Sequence, residues 1–313
     1  MKTSLLLISI FWVSQMIQAQ FTDTSYVEMP GAKIHTVITH PFNQRIAPLV
    51  IMIAGSGPTD LNGNQPMMQN NSLRLLSDEL VKRDIATLRF DKRAIAKSAV
   101  PGFNEADMTI DQLAADVSRL IEFSRSKGFE QIFILGHSEG SLIGLIALQN
   151  TKADGFISLA GAGFTADSIL KTQLKPQLPE ELYNQTVVTI DSLKNGHTVN
   201  SFPPMLISLF RPSVQPYLIS WFKYDPAQLI AQINCDVLIV QGDKDLQVSV
   251  EDANRLAKST SVAEPVIIPN MNHVLKTIDG DRNENIATYT NPTLPVNTEM
   301  VKRIANFINT RLK

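Results

Sequence analysis

Residues 131–144, Q-I-F-I-L-G-H-S-E-G-S-L-I-G, decide how the rest of this chain is read. Ile132 to Leu135 run apolar without a break, as a strand buried on both faces does. Polarity and glycine then arrive together, and the chain leaves the strand at Gly136. Beyond Ser138 the spacing turns helical, with Leu142, Ile143 and Ile146 on one side. Gly140 and Gly144 lie four residues apart and leave one helix face bare for close packing. A strand, a tight turn and a helix therefore meet on a single serine.

Gly136 and Gly140 sit two residues either side of Ser138, where a side chain would clash as the strand folds back into the helix. The pattern is G-x-S-x-G in the context a nucleophile elbow requires, a strained turn that pushes the hydroxyl above the sheet.

Working outward, Lys33 to Thr39 alternates roughly as a strand and stops at His40-Pro41. Leu49 to Ala54 is a continuous apolar run between Pro48 and Gly55-Ser56-Gly57-Pro58, which predicts a central strand ending in a sharp turn. Leu73, Leu76 and Leu80 mark a helix, and Ile85 to Phe90 resumes as a strand. Ile110, Leu113, Ala114, Val117, Leu120 and Ile121 form one apolar stripe, with Thr109 and Gln112 placed as a capping box. Phe156 to Leu159, Val237 to Val240 and Pro265 to Ile268 predict further strands, and Val301, Ile304, Ala305 and Ile308 a closing helix. This alternation predicts an α/β fold, a mostly parallel central sheet with helices on both faces. One interval breaks it. Between Gly163 and Gln232 there is no clear strand, several prolines, and short runs such as Met205 to Phe210 and Tyr217 to Phe222. So long a loop is improbable in a compact domain, so residues 163–232 are expected to be a helical cap insertion above the strand ends. The core is then 20–162 and 233–313.

With 313 residues and 44% hydrophobic content the chain can bury a full core, and a net charge of −2 gives no reason to expect nucleic acid or an anionic membrane as partner. Met1 to Ala19 has the form of a signal peptide: Lys2 supplies the positive start, Leu5 to Ile17 is largely apolar, and Ala19 is a small residue before a cut. Export follows, to the periplasm or beyond, with no stable membrane association after cleavage. The single cysteine, Cys235, has no internal partner for a disulfide, and its apolar neighbours suggest plain burial.

In open α/β sheets ligands bind beyond the carboxyl ends of the strands. There the chain carries Gly55-Ser56-Gly57-Pro58, Asp91-Lys92-Arg93, Ser138, Gly242-Asp243-Lys244-Asp245 and Asn270-Met271-Asn272-His273. A hydroxyl, a carboxylate and an imidazole thus emerge on one edge. Ser138 is too weakly acidic to attack an ester unaided, so a base must take its proton. His273 is the candidate, because imidazole titrates near neutrality and can return that proton to a leaving group. Of the five histidines, His35 and His40 belong to the first strand, His197 to the insertion, and the His137 ring should point away from the hydroxyl. Asp243 and Asp245 compete to orient the imidazole. An anionic tetrahedral intermediate needs two amide donors, expected at Glu139 and at Ser56, with Gly55 as the near alternative. Neither H-E-x-x-H nor clustered cysteines occur, and no Gly-Lys-Ser/Thr follows the glycine loop, so neither a metal nor a cofactor is expected.

The order Ser, Asp, His resembles the α/β-hydrolase superfamily over nearly all of the chain after the leader. More narrowly, G-S-G-P-T-D-L-N-G at 55–63, R-F-D-K-R at 89–93 and G-H-S-E-G at 136–140 resemble a group of bacterial carboxylesterases related to the serine-aminopeptidase and lysophospholipase-like hydrolases. The resemblance implies hydrolysis of a small-molecule carboxylic ester through an acyl-enzyme. It also favours Asp245 as the triad acid, three residues before the apolar Val248, with Asp243 capping the turn. Many relatives carry Gly after the arginine of the second motif; here Ala94 stands there, a change of loop shape. Glu139 would oppose charge developing at the oxyanion site unless turned away or paired, and Arg93 is a candidate partner, the alternative being that Asp91 and Arg93 only brace the loop. Two alternatives stand beside the esterase: an aminopeptidase or amidase, which needs an acid such as Glu180, Glu181 or Asp191 to hold a free amine, and a binding protein without turnover. Oligomeric state is left open.

Overall fold

The computed structural model describes residues 21–42, 47–260 and 264–312. The leader reading of Met1 to Ala19 lies outside them. Among the described residues one eight-stranded sheet organises the chain: β1 (Phe21–Met29), β2 (Ala32–His40), β3 (Leu49–Ile53), β4 (Ala86–Phe90), β5 (Ile132–His137), β6 (Gly155–Leu159), β7 (Asp236–Gly242) and β8 (Val266–Ile268). Their order across the sheet is β1-β2-β4-β3-β5-β6-β7-β8. β1, β2 and β4 pair antiparallel, and every pairing from β4 through β3 to β8 is parallel. After β3 the chain crosses to one side for β4 and returns to the other for β5. The C-terminal ends of β3 and β5 therefore diverge at a topological switch point, where a doubly wound sheet opens a crevice. The register Ile53↔Gly136 brings the loop after β3 beside the turn after β5.

The unbroken apolar runs make physical sense in this sheet, because successive side chains enter opposite cores. Leu49, Ile51 and Ile53 of β3, with Ile132 and Ile134 of β5, pack under α2 (Ile110–Ser126) and α3 (Glu139–Ala147). Val50, Met52, Phe133 and Leu135 face the other way, against α1 (Ser72–Val81) and α11 (Thr298–Asn309). α2 begins with the expected capping box, Thr109 Oγ1 accepting from Gln112 N and Gln112 Oε1 from Thr109 N. Between β6 and β7 lie α4 (Ala166–Leu174), α5 (Glu180–Lys194), α6 (Ile207–Phe210), α7 (Gln215–Trp221) and α8 (Pro226–Ile230). Ile190, Leu193, Phe210, Leu218 and Phe222 give this segment an apolar cluster of its own. α9 (Val250–Lys258) and α10 (Arg282–Ala287) complete the set.

Two elements escape the apolar pattern. β1 is an edge strand that buries only Val27 and Met29, so little marks it as a strand before the hairpin with β2 forms. α9 is amphipathic, but of Ala253, Leu256 and Ala257 on its buried face only Leu256 is large, so no run of large apolar residues marks it. Cys235 is half-buried, with a thiol pushed up to about 11 by burial first and by Asp236 and Asp154 next. No helix among the described residues is long and apolar enough to cross a membrane.

Candidate active site

Ser138 is the residue between β5 and α3, with φ 56° and ψ −123°, a conformation that strains any non-glycine residue. What forces it there is the closeness of the two backbones it joins. A Cβ on Gly136 would lie 2.3 Å from Gly140 O, and one on Gly140 would lie 2.3 Å from Ile53 O. Ser138 N donates to Leu159 O at 3.0 Å, which anchors the turn to β6. Gly55 approaches from β3, where an added Cβ would stand 3.2 Å from Ser138 Cβ.

The carboxylate comes from the turn after β7 and the imidazole from the loop after β8. His273 Nδ1 lies 2.8 Å from Asp245 Oδ2, and both side chains are buried. The carboxylate is itself fixed: Gln247 N and Val248 N donate to Oδ1 at 2.7 and 3.0 Å, and Gln241 Nε2 donates to Oδ2 at 3.0 Å. Burial works to raise the Asp245 pKa, but the facing His273 and the hydrogen bonds from His273, Val248 and Gln247 outweigh it and hold the carboxyl below its usual range. An ionised carboxylate at Nδ1 puts the imidazole proton there and leaves Nε2 free to accept one. Asp243 is exposed and instead accepts from Asn270 N at 2.7 Å, tying together the turns after β7 and β8.

His137 joins this constellation by a route the sequence did not disclose. Its Nε2 donates to His273 O at 2.8 Å, and the two rings lie 4.9 Å apart between centroids. The residue before the serine thus holds the backbone of the imidazole loop. Burial first, then the neighbouring His273, pulls the His137 pKa down to about 4, so it serves as a neutral donor.

The candidate pairing of Arg93 with Glu139 is not what forms. The Arg93 guanidinium turns from the crevice into α2, where Nη2 and Nε meet Asp116 at 2.5 and 3.0 Å and Nη1 donates to Pro30 O at 2.9 Å. Lys92 takes the other direction: its Nζ lies 3.5 Å from Glu139 Oε2 and donates to Gly55 O at 2.5 Å. Both residues lie in the turn beyond β4 and both line the crevice, but their charged ends part there, the guanidinium going to Asp116 and the ammonium to Glu139. Tyr217 of α7 donates to Glu139 Oε1 at 2.7 Å. Lys92, Tyr217, His137 and Gln241 were all missed from sequence; a cation beside Arg93 at the end of a buried strand was the one signal available.

Ser138, Glu139, Ser56 and Lys92 line a cavity of about 640 Å³ beneath α4, α6 and α7. Its walls are mainly apolar, including Leu113, Leu142, Phe164, Ile169, Leu218 and Trp221. The charged residues lining it are all internally matched: Lys92 with Glu139, Arg93 with Asp116, and Arg211 with Glu105. Among the described residues no cluster of three or more His, Cys, Asp or Glu is arranged to hold a metal ion.

No protein-family profile matches the chain. Esterase EstD of Thermotoga maritima is 23% identical over 246 residues, 78% of this chain, and the chain spans 58% of that protein's length. Est1E of Butyrivibrio proteoclasticus, solved with ferulic acid bound, superposes with a TM-score of 0.60 at 18% identity, covering 91% of this chain and 99% of that one. An esterase of Pyrococcus furiosus gives 0.57 at 14% identity, covering 97% and 96%. With its mostly parallel eight-stranded sheet and a serine turn at the switch point, this chain has the α/β-hydrolase fold, and esterases are among the proteins it is similar to.

Proposed function

We propose that the protein is a serine hydrolase of uncharged, largely apolar carboxylic esters, with Ser138, His273 and Asp245 as its catalytic residues. The observation that carries this is the buried Asp245–His273 pair, whose loop is held by His137 beside the strained Ser138 turn. In this mechanism Ser138 Oγ attacks the acyl carbon while His273 Nε2 takes its proton. The oxyanion so formed is met by the N–H groups of Glu139, at the start of α3, and Ser56, with Gly55 closing the same loop. Collapse breaks the bond to the alkoxide, which leaves with the proton from His273. Water then repeats the sequence on the acyl-enzyme, releasing the acid and restoring Ser138.

The apolar cavity and its matched charges favour a neutral acyl group over a free amine. For an aminopeptidase a free carboxylate would be needed in the cavity. Glu180 and Glu181 are exposed outside it, and Asp191 is held by Lys171 at 2.5 Å. Residues 163–232 act in this proposal as the cap that shapes the acyl site, and Met1 to Ala19 as a leader removed on export.

The test is labelling with a fluorophosphonate probe, followed by turnover of p-nitrophenyl esters beside aminoacyl anilides, with Ser138→Ala as the blank. Labelling with ester turnover is expected, and both vanish in Ser138→Ala. Anilide turnover at comparable kcat/KM, or ester turnover that survives in Ser138→Ala, would overturn the reading.

A further inference from the structure

Lys92 touches both segments from which the oxyanion donors come. On one side Nζ donates to Gly55 O at 2.5 Å, and on the other it lies 3.5 Å from Glu139 Oε2, an ion-pair distance. Both Lys92 and Glu139 are buried, and Glu139 Oε2 has no hydrogen-bond partner of its own. Two buried charges without each other would be strongly unfavourable, so each holds the other in place. We infer that Lys92 is a positioning residue that sets the oxyanion hole, with Glu139 as its counter-ion and Tyr217 as the latch through which the α4–α8 segment acts on it. The inference rests on the serine-hydrolase reading and adds to it.

The peptide geometry gives the reason. In a trans peptide the C=O and the following N–H point in opposite directions in one plane. Holding Gly55 O on the Lys92 side therefore directs Ser56 N–H to the other edge, and Ser56 lines the same cavity as Ser138. The next peptide is fixed as well: Ser56 O accepts from Thr59 Oγ1 at 2.7 Å and from Gln65 Nε2 at 3.0 Å. The second donor, Glu139 N–H, belongs to the residue whose side chain is gripped between Lys92 and Tyr217. Tyr217 OH donates to Glu139 Oε1 at 2.7 Å from α7, so a seated α7 tightens the carboxylate that Lys92 leans on. The Lys92 ammonium also offsets the Glu139 carboxylate, which explains how a glutamate is tolerated next to the nucleophile.

The test separates transition-state binding from ground-state binding. In Lys92→Met, kcat for p-nitrophenyl butyrate is expected to fall about 10²-fold with KM within threefold, the scale of losing one oxyanion donor. The Ki of an alkylboronic acid, which forms a tetrahedral adduct on serine, should rise in parallel with the loss in kcat/KM. The Ki of p-nitrobutyranilide, a ground-state mimic, should stay within threefold. Tyr217→Phe should show the same split at about 3- to 10-fold, and it decides the matter alone if Lys92→Met does not unfold cooperatively. Unchanged kcat in these variants, or boronate and anilide affinities that weaken together, overturns the inference. Ser138→Ala reports on the parent reading separately: activity lost there but retained in Lys92→Met and Tyr217→Phe removes only the role of Lys92.

Discussion

Asp245→Asn should cripple turnover while leaving the fold intact, and the hydrogen bonds around the carboxylate say by how much. Oδ1 accepts two backbone N–H groups, from Gln247 and Val248, while Oδ2 faces His273 Nδ1 and accepts from Gln241 Nε2. The Gln241 amide keeps Gly242 O and Val248 O as acceptors if that bond is lost. An asparagine must choose. With its oxygen toward the backbone donors, its NH2 faces His273, and the imidazole must present a bare Nδ1 and carry its proton on Nε2. That tautomer cannot accept the proton of Ser138. With the amide reversed, the competent tautomer survives but two N–H groups face an NH2. Each unpaired donor costs about 1–3 kcal/mol, so the competent arrangement is disfavoured by roughly 2–6 kcal/mol. At about 1.4 kcal/mol per factor of ten, kcat should fall by about 30- to 10⁴-fold. Val248 is buried while Gln247 is exposed and can turn to water, which places the expectation toward the lower half of that range. Stopped-flow and steady-state hydrolysis of p-nitrophenyl butyrate measures it, with thermal unfolding as the control. A kcat within fivefold of wild type, in a variant with an unchanged unfolding midpoint, would refute the tautomer argument.

Arg93→Met should act on stability rather than chemistry. It strands Asp116 in the core, which costs about 3–5 kcal/mol for a broken buried pair, read as a lower urea midpoint with kcat per folded molecule within threefold. Ala94 sits at φ 61°, a conformation that glycine adopts freely and alanine does not, so Ala94→Gly should stabilise the protein by about 1 kcal/mol in chemical denaturation. No gain would mean that the added freedom of the unfolded chain cancels the relief. His137 supplies an acid limb: its pKa is about 4 when folded against 6.5 for the ordinary side chain, so between those values the unfolded chain binds the proton first. Its contribution is complete above pH 6.5 and falls by roughly 3 kcal/mol as the pH drops to about 4. Unfolding free energies of wild type and His137→Gln across that window should converge at acid pH, and parallel curves would contradict the assignment.

Much of the fold was legible because it is written in short-range pattern. Ile132 to Leu135 must be a strand with two covered faces, and glycines at 136 and 140 must attend a turn too tight for a Cβ, since both facts depend on neighbours in sequence. The hydroxyl, the carboxylates and the imidazole could likewise be put on one sheet edge by counting strands. What the chain order alone left open was which side chain meets which across the crevice. Asp245 rather than Asp243 lies against His273 because the turn after β7 aims one inward and the other at Asn270. Lys92 rather than Arg93 faces Glu139 because α2, packed on the sheet, brings Asp116 to the Arg93 guanidinium and leaves the Lys92 ammonium to the start of α3. Tyr217 could not be assigned at all, since it reaches Glu139 from a helix 78 residues away in sequence. Local steric rules thus determined the elements, whereas the ion pairs and hydrogen bonds of the site were decided by contacts that exist only once those elements are packed.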